Sequence, residues 1–171
     1  DLARSGDGDA FGALLSRHYD LIFRLGFRFL GNRPEAEDLA QDICVSLAAK
    51  LRGYRGEAQF TTWLYRVTVN AAKDRLRRRT TRSKVADGWA DLEHMARQAE
   101  AEAAAEHRWL QQALRTLPPD LNETVVLILG EELTHRQAAE VLDISEGTVS
   151  WRMSEVKKHL RTLAETEERY P

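Results

Sequence analysis

The sequence holds one cysteine, Cys44, so it has no internal disulfide and no cysteine-built zinc cluster. Cys44 falls at helical spacing between Ala40 and Ala48 and is expected as a small core residue. No run of eighteen apolar residues occurs, which excludes a membrane-spanning helix, and insertion into a membrane is not expected. No charged-then-apolar leader like a signal peptide is read, and the chain opens on Asp1 rather than Met. Sustained strand-like alternation is missing, which leaves helices. The five histidines, His18, His94, His107, His135 and His159, are scattered and show no zinc spacing. There is no glycine-rich phosphate loop and no visible nucleophile–base pair. No metal, no cofactor and no enzymatic activity are therefore expected, and the expected setting is the cytoplasm.

An overall excess of positive charge is also lacking. The net charge is −2, which argues against a general polyanion binder. The distribution is uneven. Residues 1–79 carry 14 Lys/Arg against 10 Asp/Glu, while 80–107 and 108–171 each come to −3. The cations concentrate in Lys73, Arg75, Arg77, Arg78 and Arg79, opposed locally only by Asp74.

What is present is helical periodicity in two blocks. Phe11, Leu14, Leu15, Ile22, Phe23, Leu25, Phe29 and Leu30 predict a first helix, ended by Gly31-Asn32-Arg33-Pro34. A second helix, about 35–51, has Leu39, Ile43 and Leu47 at i, i+4 spacing. A polar loop from Gly53 to Gln59 precedes a third helix, from Thr61 as N-cap to about Arg78. Trp63, among Leu64 and Val67, is expected in the core. Residues 80–105 are too polar to bury a core and are read as a linker, partly helical at its end. Four shorter helices follow, at about 106–116, 120–132, 135–142 and 146–164. The expected fold is all-α: two small helical domains, 1–79 and 106–171, joined by a flexible tether.

Thr134-His135-Arg136-Gln137 matches a capping box. Small Ala138 and Ala139 allow close helix approach, Asp143 to Gly147 makes a tight turn, and Ser145 is a suitable cap. Val149, Met153, Val156, Leu160 and Leu163 then fall on one narrow stripe. The opposite face offers Ser150, Trp151, Ser154, Glu155, Lys157, Lys158 and Arg161. Two short helices joined this way, with a polar face on the second, fit a DNA major groove. The plainer alternative is a helical hairpin with a solvated face.

In the first block, Arg66, Lys73 and Arg77 share a helix face that can neutralise phosphates. Tyr54, Gln59 and Phe60 stand beside the loop, where aromatics can stack on unpaired bases. Asp38 and Asp42 form an acidic pair with Gln41 on the outer side of the second helix, a solvated or protein-docking surface.

Four stretches together resemble the extracytoplasmic-function (ECF) group of bacterial RNA polymerase sigma factors. They are Phe11 to Ile22, Ala36-Glu37-Asp38-Leu39-Ala40-Gln41-Asp42, Tyr54-Arg55-Gly56 through Phe60-Thr61-Thr62-Trp63-Leu64 to Asn70, and Leu114 to Leu163 with Leu117-Pro118 and Gly147-Thr148-Val149. The resemblance implies a region 2-like domain followed by a region 4-like domain. It implies that Asp38, Gln41 and Asp42 dock on the β′ clamp helices of core polymerase, and that the β flap is a second contact. It further implies that Arg55, Gln59, Phe60, Asn70, Lys73 and Arg77 recognise and open the −10 promoter element, with one base flipped into a pocket near the loop. Thr148, Ser150, Trp151, Arg152, Ser154, Glu155, Lys157 and Lys158 would read the −35 element. The linker would pass near the RNA exit path, and an anti-sigma factor would hold the protein inactive. Ser150 and Glu155 stand where many relatives carry arginine. Two rivals remain open: a helix-turn-helix regulator that binds DNA without polymerase, and a sigma mimic that only titrates an anti-sigma factor.

Overall fold

The computed structural model describes residues 2–82, 113–114 and 116–167. The described secondary structure is helical throughout and falls into two units.

In the first unit, α1 spans Gly8–Leu30, α2 Arg33–Arg52 and α3 Phe60–Arg82. Asp7 starts α1 by accepting from the Ala10 amide at 2.9 Å. Gly31 ends it in the left-handed conformation, φ 68°, where its N–H reaches the Phe27 carbonyl. The sequence between the two helices does double duty. Asn32 caps α2 through the Glu35 amide, and Pro34 occupies the first turn, where it forfeits no hydrogen bond. α2 thus begins two residues earlier than its apolar periodicity requires.

All three helix pairs are in contact. Ile22 and Leu25 of α1, Leu39, Ile43 and Leu47 of α2, and Leu64 and Val69 of α3 are fully buried. Each such side chain contributes roughly 1.5–3 kcal/mol of burial free energy. The crossing of α1 and α2 is close because Gly26 has no side chain: a Cβ there would lie 3.1 Å from Leu39 Cδ2.

α3 departs from expectation at both ends. The Gln59 carbonyl accepts from Trp63 N, so the helix starts at Phe60 and Thr61 lies inside its first turn rather than capping it. The backbone stays helical to Arg82, three residues into the stretch read as linker. The rest of that stretch, and the helix expected over 106–116 apart from 113–114 and 116, lie outside the described residues.

In the second unit, α4 spans Pro119–Val125 and widens into a π turn over Val126–Gly130, where Glu131 N bonds the Val126 carbonyl. The helix expected over 120–132 therefore stops two residues early. α5 is His135–Leu142 and α6 is Glu146–Glu167. Both sides of the Thr134–Gln137 capping box are formed. Asp143 takes φ 57° to close α5, a conformation its short polar side chain tolerates. Ser145 Oγ caps α6 at the Thr148 amide, 3.0 Å away. Leu117, Leu121, Val125, Met153 and Val156 form the core, with Leu114, Ile128 and Leu160 packed on it. The apolar stripe of α6 thus points inward as its spacing predicts. Among the described residues no helix is long and apolar enough to cross a membrane.

Candidate nucleic-acid interface

Burial of Leu39, Ile43 and Leu47 turns the other side of α2 to solvent. Asp38, Gln41 and Asp42 are all exposed there. Val45 joins them at i, i+3, i+4 and i+7, which places the four on one face. Val45 is 83% exposed, more than any other large hydrophobic residue described. Sequence reasoning missed it because a valine in a helix reads as core until its phase against Leu39, Ile43 and Leu47 is drawn. Cys44, expected in the core, is only half-buried, and that burial raises its pKa.

Asp42 is not isolated. Arg75 Nη2 of α3 donates to Asp42 Oδ2 at 2.6 Å, and Arg75 Nη1 donates to the Glu35 carbonyl at 3.2 Å. This bridge from α3 to the outer edge of α2 links residues 33 apart in sequence, beyond the reach of local spacing.

The loop between α2 and α3 is built on aromatic contacts. Tyr54 Oη donates to the Ala58 carbonyl at 2.6 Å, and Arg4 donates to the Tyr54 carbonyl at 3.2 Å. Gly56 takes φ 77°, which favours glycine. Phe60 meets His18 at 5.1 Å, Tyr54 at 5.9 Å and Trp63 at 5.6 Å between ring centres. Tyr54 and Trp63 are 5.2 Å apart. Trp63, expected in the core, is half-buried in this cluster instead. The reason is that Leu64 and Val69 fill the inward side of α3 and leave Trp63 to its flank.

A cleft of about 440 Å³ opens beside the cluster, with Arg4, Arg17, His18, Tyr54 and Phe60 in its walls. Desolvation and then the neighbouring Arg17 lower the His18 pKa from 6.5. Arg55 and Gln59 are exposed at the loop, and Phe60 is half-buried. Along α3, Asn70, Lys73 and Arg77 are exposed at i, i+3 and i+7 on one face. Arg66, placed on the same stripe by spacing, is half-buried and lends less of its charge to it. Arg77 also lies 3.0 Å from Asp74.

In the second unit, Ser150, Trp151, Ser154, Lys157 and Lys158 are exposed on α6. Trp151 is 57% exposed, so a large aromatic stands free on the polar face. Glu155 is half-buried and 4.0 Å from Lys158. Thr148 is half-buried, its hydroxyl 2.8 Å from Ser145 Oγ. Arg152 does not belong to the outward face. Its Nη1 donates to Glu123 Oε1 at 3.0 Å, and it also reaches the Asp120 carbonyl and Thr124. The physical reason is Glu123, whose side chain is 7% exposed: a carboxylate that deeply enclosed requires a cation, and Arg152 supplies it. His135, which the sequence singled out only as part of the cap, reaches Ser150 Oγ with Nδ1 at 2.9 Å.

The chain therefore presents an acidic face with an apolar centre, a cationic and aromatic rim beside a cleft, and a helix-turn-helix with a mixed polar face. Both units match parts of known proteins. Residues 14–82 match sigma-70 region 2, and residues 107–160 match sigma-70 region 4. The ECF RNA polymerase sigma factor SigW of Bacillus subtilis is 30% identical, with 92% of this chain and 90% of SigW aligned. The RNA polymerase sigma-H factor of Pseudomonas aeruginosa is 31% identical over 86% of this chain and 82% of its own. Among solved structures, CnrH in complex with the cytosolic domain of CnrY matches with a TM-score of 0.68 at 25% identity, covering 96% of this chain and 93% of that one. The sigma factor RpoE of Bartonella quintana, in complex with the anti-sigma factor NepR, shares the fold with a TM-score of 0.70 at 21% identity, covering 91% and 97%. The chain belongs to the extracytoplasmic-function group of the sigma-70 family of bacterial RNA polymerase sigma factors.

Proposed function

We propose that the chain is a non-enzymatic, cytoplasmic specificity subunit that docks on core RNA polymerase through α2, opens the −10 element with the 53–60 loop and α3, and reads the −35 element with α6. The observation that carries this reading is the face of Asp38, Gln41, Asp42 and Val45. An exposed valine ringed by two carboxylates and an amide suits a basic, partly apolar helical partner such as the β′ clamp helices. The β flap is the second polymerase contact in this reading.

The −10 role rests on charge and aromaticity together. Lys73 and Arg77 neutralise phosphates, Arg55 and Gln59 stand free at the loop, and the cleft beside Phe60 is large enough for one unstacked base. Opening costs a few kcal/mol per unstacked base, which stacking at about 1–3 kcal/mol and phosphate contacts offset. On α6, Ser150, Trp151, Ser154 and Glu155 face the bases and Lys157 and Lys158 face the backbone. Thr148 works inside the cap. A protein inhibitor of the kind seen with RpoE is the expected regulator.

Reconstitution tests the reading. Core polymerase with this chain is expected to yield run-off transcripts from promoters selected by sequencing, and the free chain is expected to shift the same duplexes weakly. Tight, specific duplex binding without core, with no transcript on adding core, overturns it in favour of an autonomous regulator. Core binding without transcription favours a mimic.

A further inference from the structure

The hydroxyl of Ser150 is held by a residue of the other helix. Ser150 is the fifth residue of α6 and is exposed on its outward face. A serine or threonine within a helix commonly donates to the carbonyl four residues back, as Thr68 does to Leu64 and Thr162 to Lys158. Ser150 instead meets Nδ1 of His135, the first residue of α5, at 2.9 Å. A hydroxyl has one proton and two lone pairs, and a neutral imidazole has one N–H and one lone pair. The direction of this hydrogen bond therefore fixes what Ser150 has left to show a base.

We propose that His135 is a positioning residue for −35 recognition: its Nδ1 accepts a hydrogen bond from the Ser150 hydroxyl and leaves Oγ facing the groove as an acceptor. The proposal rests on the reading of α6 as the −35 reader. With Nδ1 occupied by Ser150, Nε2 is the ring nitrogen left for solvent or DNA. In the neutral ring whose Nε2 carries the N–H, the lone pair lies on Nδ1. An acceptor on Ser150 selects the exocyclic amino groups of adenine or cytosine and rejects the O6 and N7 edge of guanine. Glu155, acceptor-only when ionised, would add a second acceptor about one and a half turns along the helix.

Holoenzyme reconstituted with this chain and a promoter library randomised across the −35 element measures the effect. The chain should prefer adenine or cytosine at one position, and Ser150→Ala should abolish that preference. His135→Ala should weaken it at the same position by roughly three- to ten-fold without flattening the others. His135→Asn, whose Oδ1 can accept the same proton at similar reach, should restore it, which a merely structural loss would not do. Three results overturn the proposal: a Ser150-dependent preference for guanine or thymine, a Ser150 preference indifferent to His135→Ala, or no rescue by His135→Asn. The underlying reading has its own arm. If Ser150→Ala, Trp151→Ala and Glu155→Ala combined leave every −35 preference intact, α6 does not read this element.

Discussion

Arg75 ties α3 to the outer edge of α2, with one nitrogen 2.6 Å from Asp42 and another on the Glu35 carbonyl. Asp42, one of the carboxylates of the docking face, is thus already paired, yet its side chain remains 73% exposed. Such a pair is worth only about 0–1 kcal/mol in water. It is therefore weak enough for a cationic partner to compete with it. Arg75→Ala is expected to change thermal stability little and to leave core binding intact or a few-fold tighter. A loss of core binding beyond about ten-fold, read by titrating labelled chain with core, would show that Asp42 docks only in its paired state.

Val45 gives the sharper test of the docking face. At 83% exposure it contributes almost nothing to folding, so Val45→Asp should leave the unfolding free energy within the scatter expected of surface changes, about ±0.5 kcal/mol. Core affinity should fall by about ten-fold or more, because a charge would enter the centre of an interface. Asp38→Ala with Asp42→Ala should weaken it too. Unchanged core affinity in both variants would move the docking site away from this face.

Two glycines of α1 separate backbone from packing effects. Gly12 faces open space, so Gly12→Ala should stabilise the first unit by roughly 0.5–1 kcal/mol through helix propensity alone. Gly26 faces Leu39 Cδ2 at 3.1 Å and Ala36 beyond it. Gly26→Val should destabilise by about 1–3 kcal/mol through overpacking. Chemical denaturation of both variants checks the contrast, and equal shifts would contradict the close crossing.

These pairs also mark what the sequence made legible. Helix existence, the caps at Thr134 and Ser145, and the inward stripe of α6 follow from local spacing, because cap and stripe are properties of consecutive residues. The exposed positions of Asp38, Gln41, Lys73 and Trp151 follow from the same phase. Contacts between helices do not. Arg152 looked like a base reader because nothing in its own helix reveals Glu123 beneath it. Trp63 looked like core because its composition suits a core, while its actual partners, Tyr54 and Phe60, come together only through the fold of the loop. His135 reads as part of a cap, because its contact with Ser150 joins two helices and no local spacing reveals it.

The pairing of Arg152 with Glu123 predicts a stability defect rather than a specificity defect. Arg152→Met leaves an enclosed carboxylate without its cation and should cost about 3–5 kcal/mol. Replacing both, Arg152→Met with Glu123→Met, should recover much of that loss, since neither charge remains. Thermal unfolding of the three chains decides it. If Arg152→Met melts normally but changes −35 preference, the side chain turns outward on DNA and the buried pair is dispensable.

His18 makes the first unit pH-sensitive in a direction that can be worked out. Burial, and then the charge of Arg17, disfavour the imidazolium in the folded state, so the folded pKa lies below 6.5. The unfolded chain then binds the proton at higher pH than the folded one. Stability from this group is present above 6.5 and is lost as the pH falls from there toward the folded pKa. The melting temperature should therefore drop with acidification across that window, by more than carboxylate titration at lower pH explains. His18→Gln, which keeps a polar side chain in the wall of the cleft without the titration, should flatten the curve. The same curve for His18→Gln and the native chain would mean that His18 is not the source, and Phe60, only 5.1 Å from its ring, would then have to accommodate the charged form at no cost.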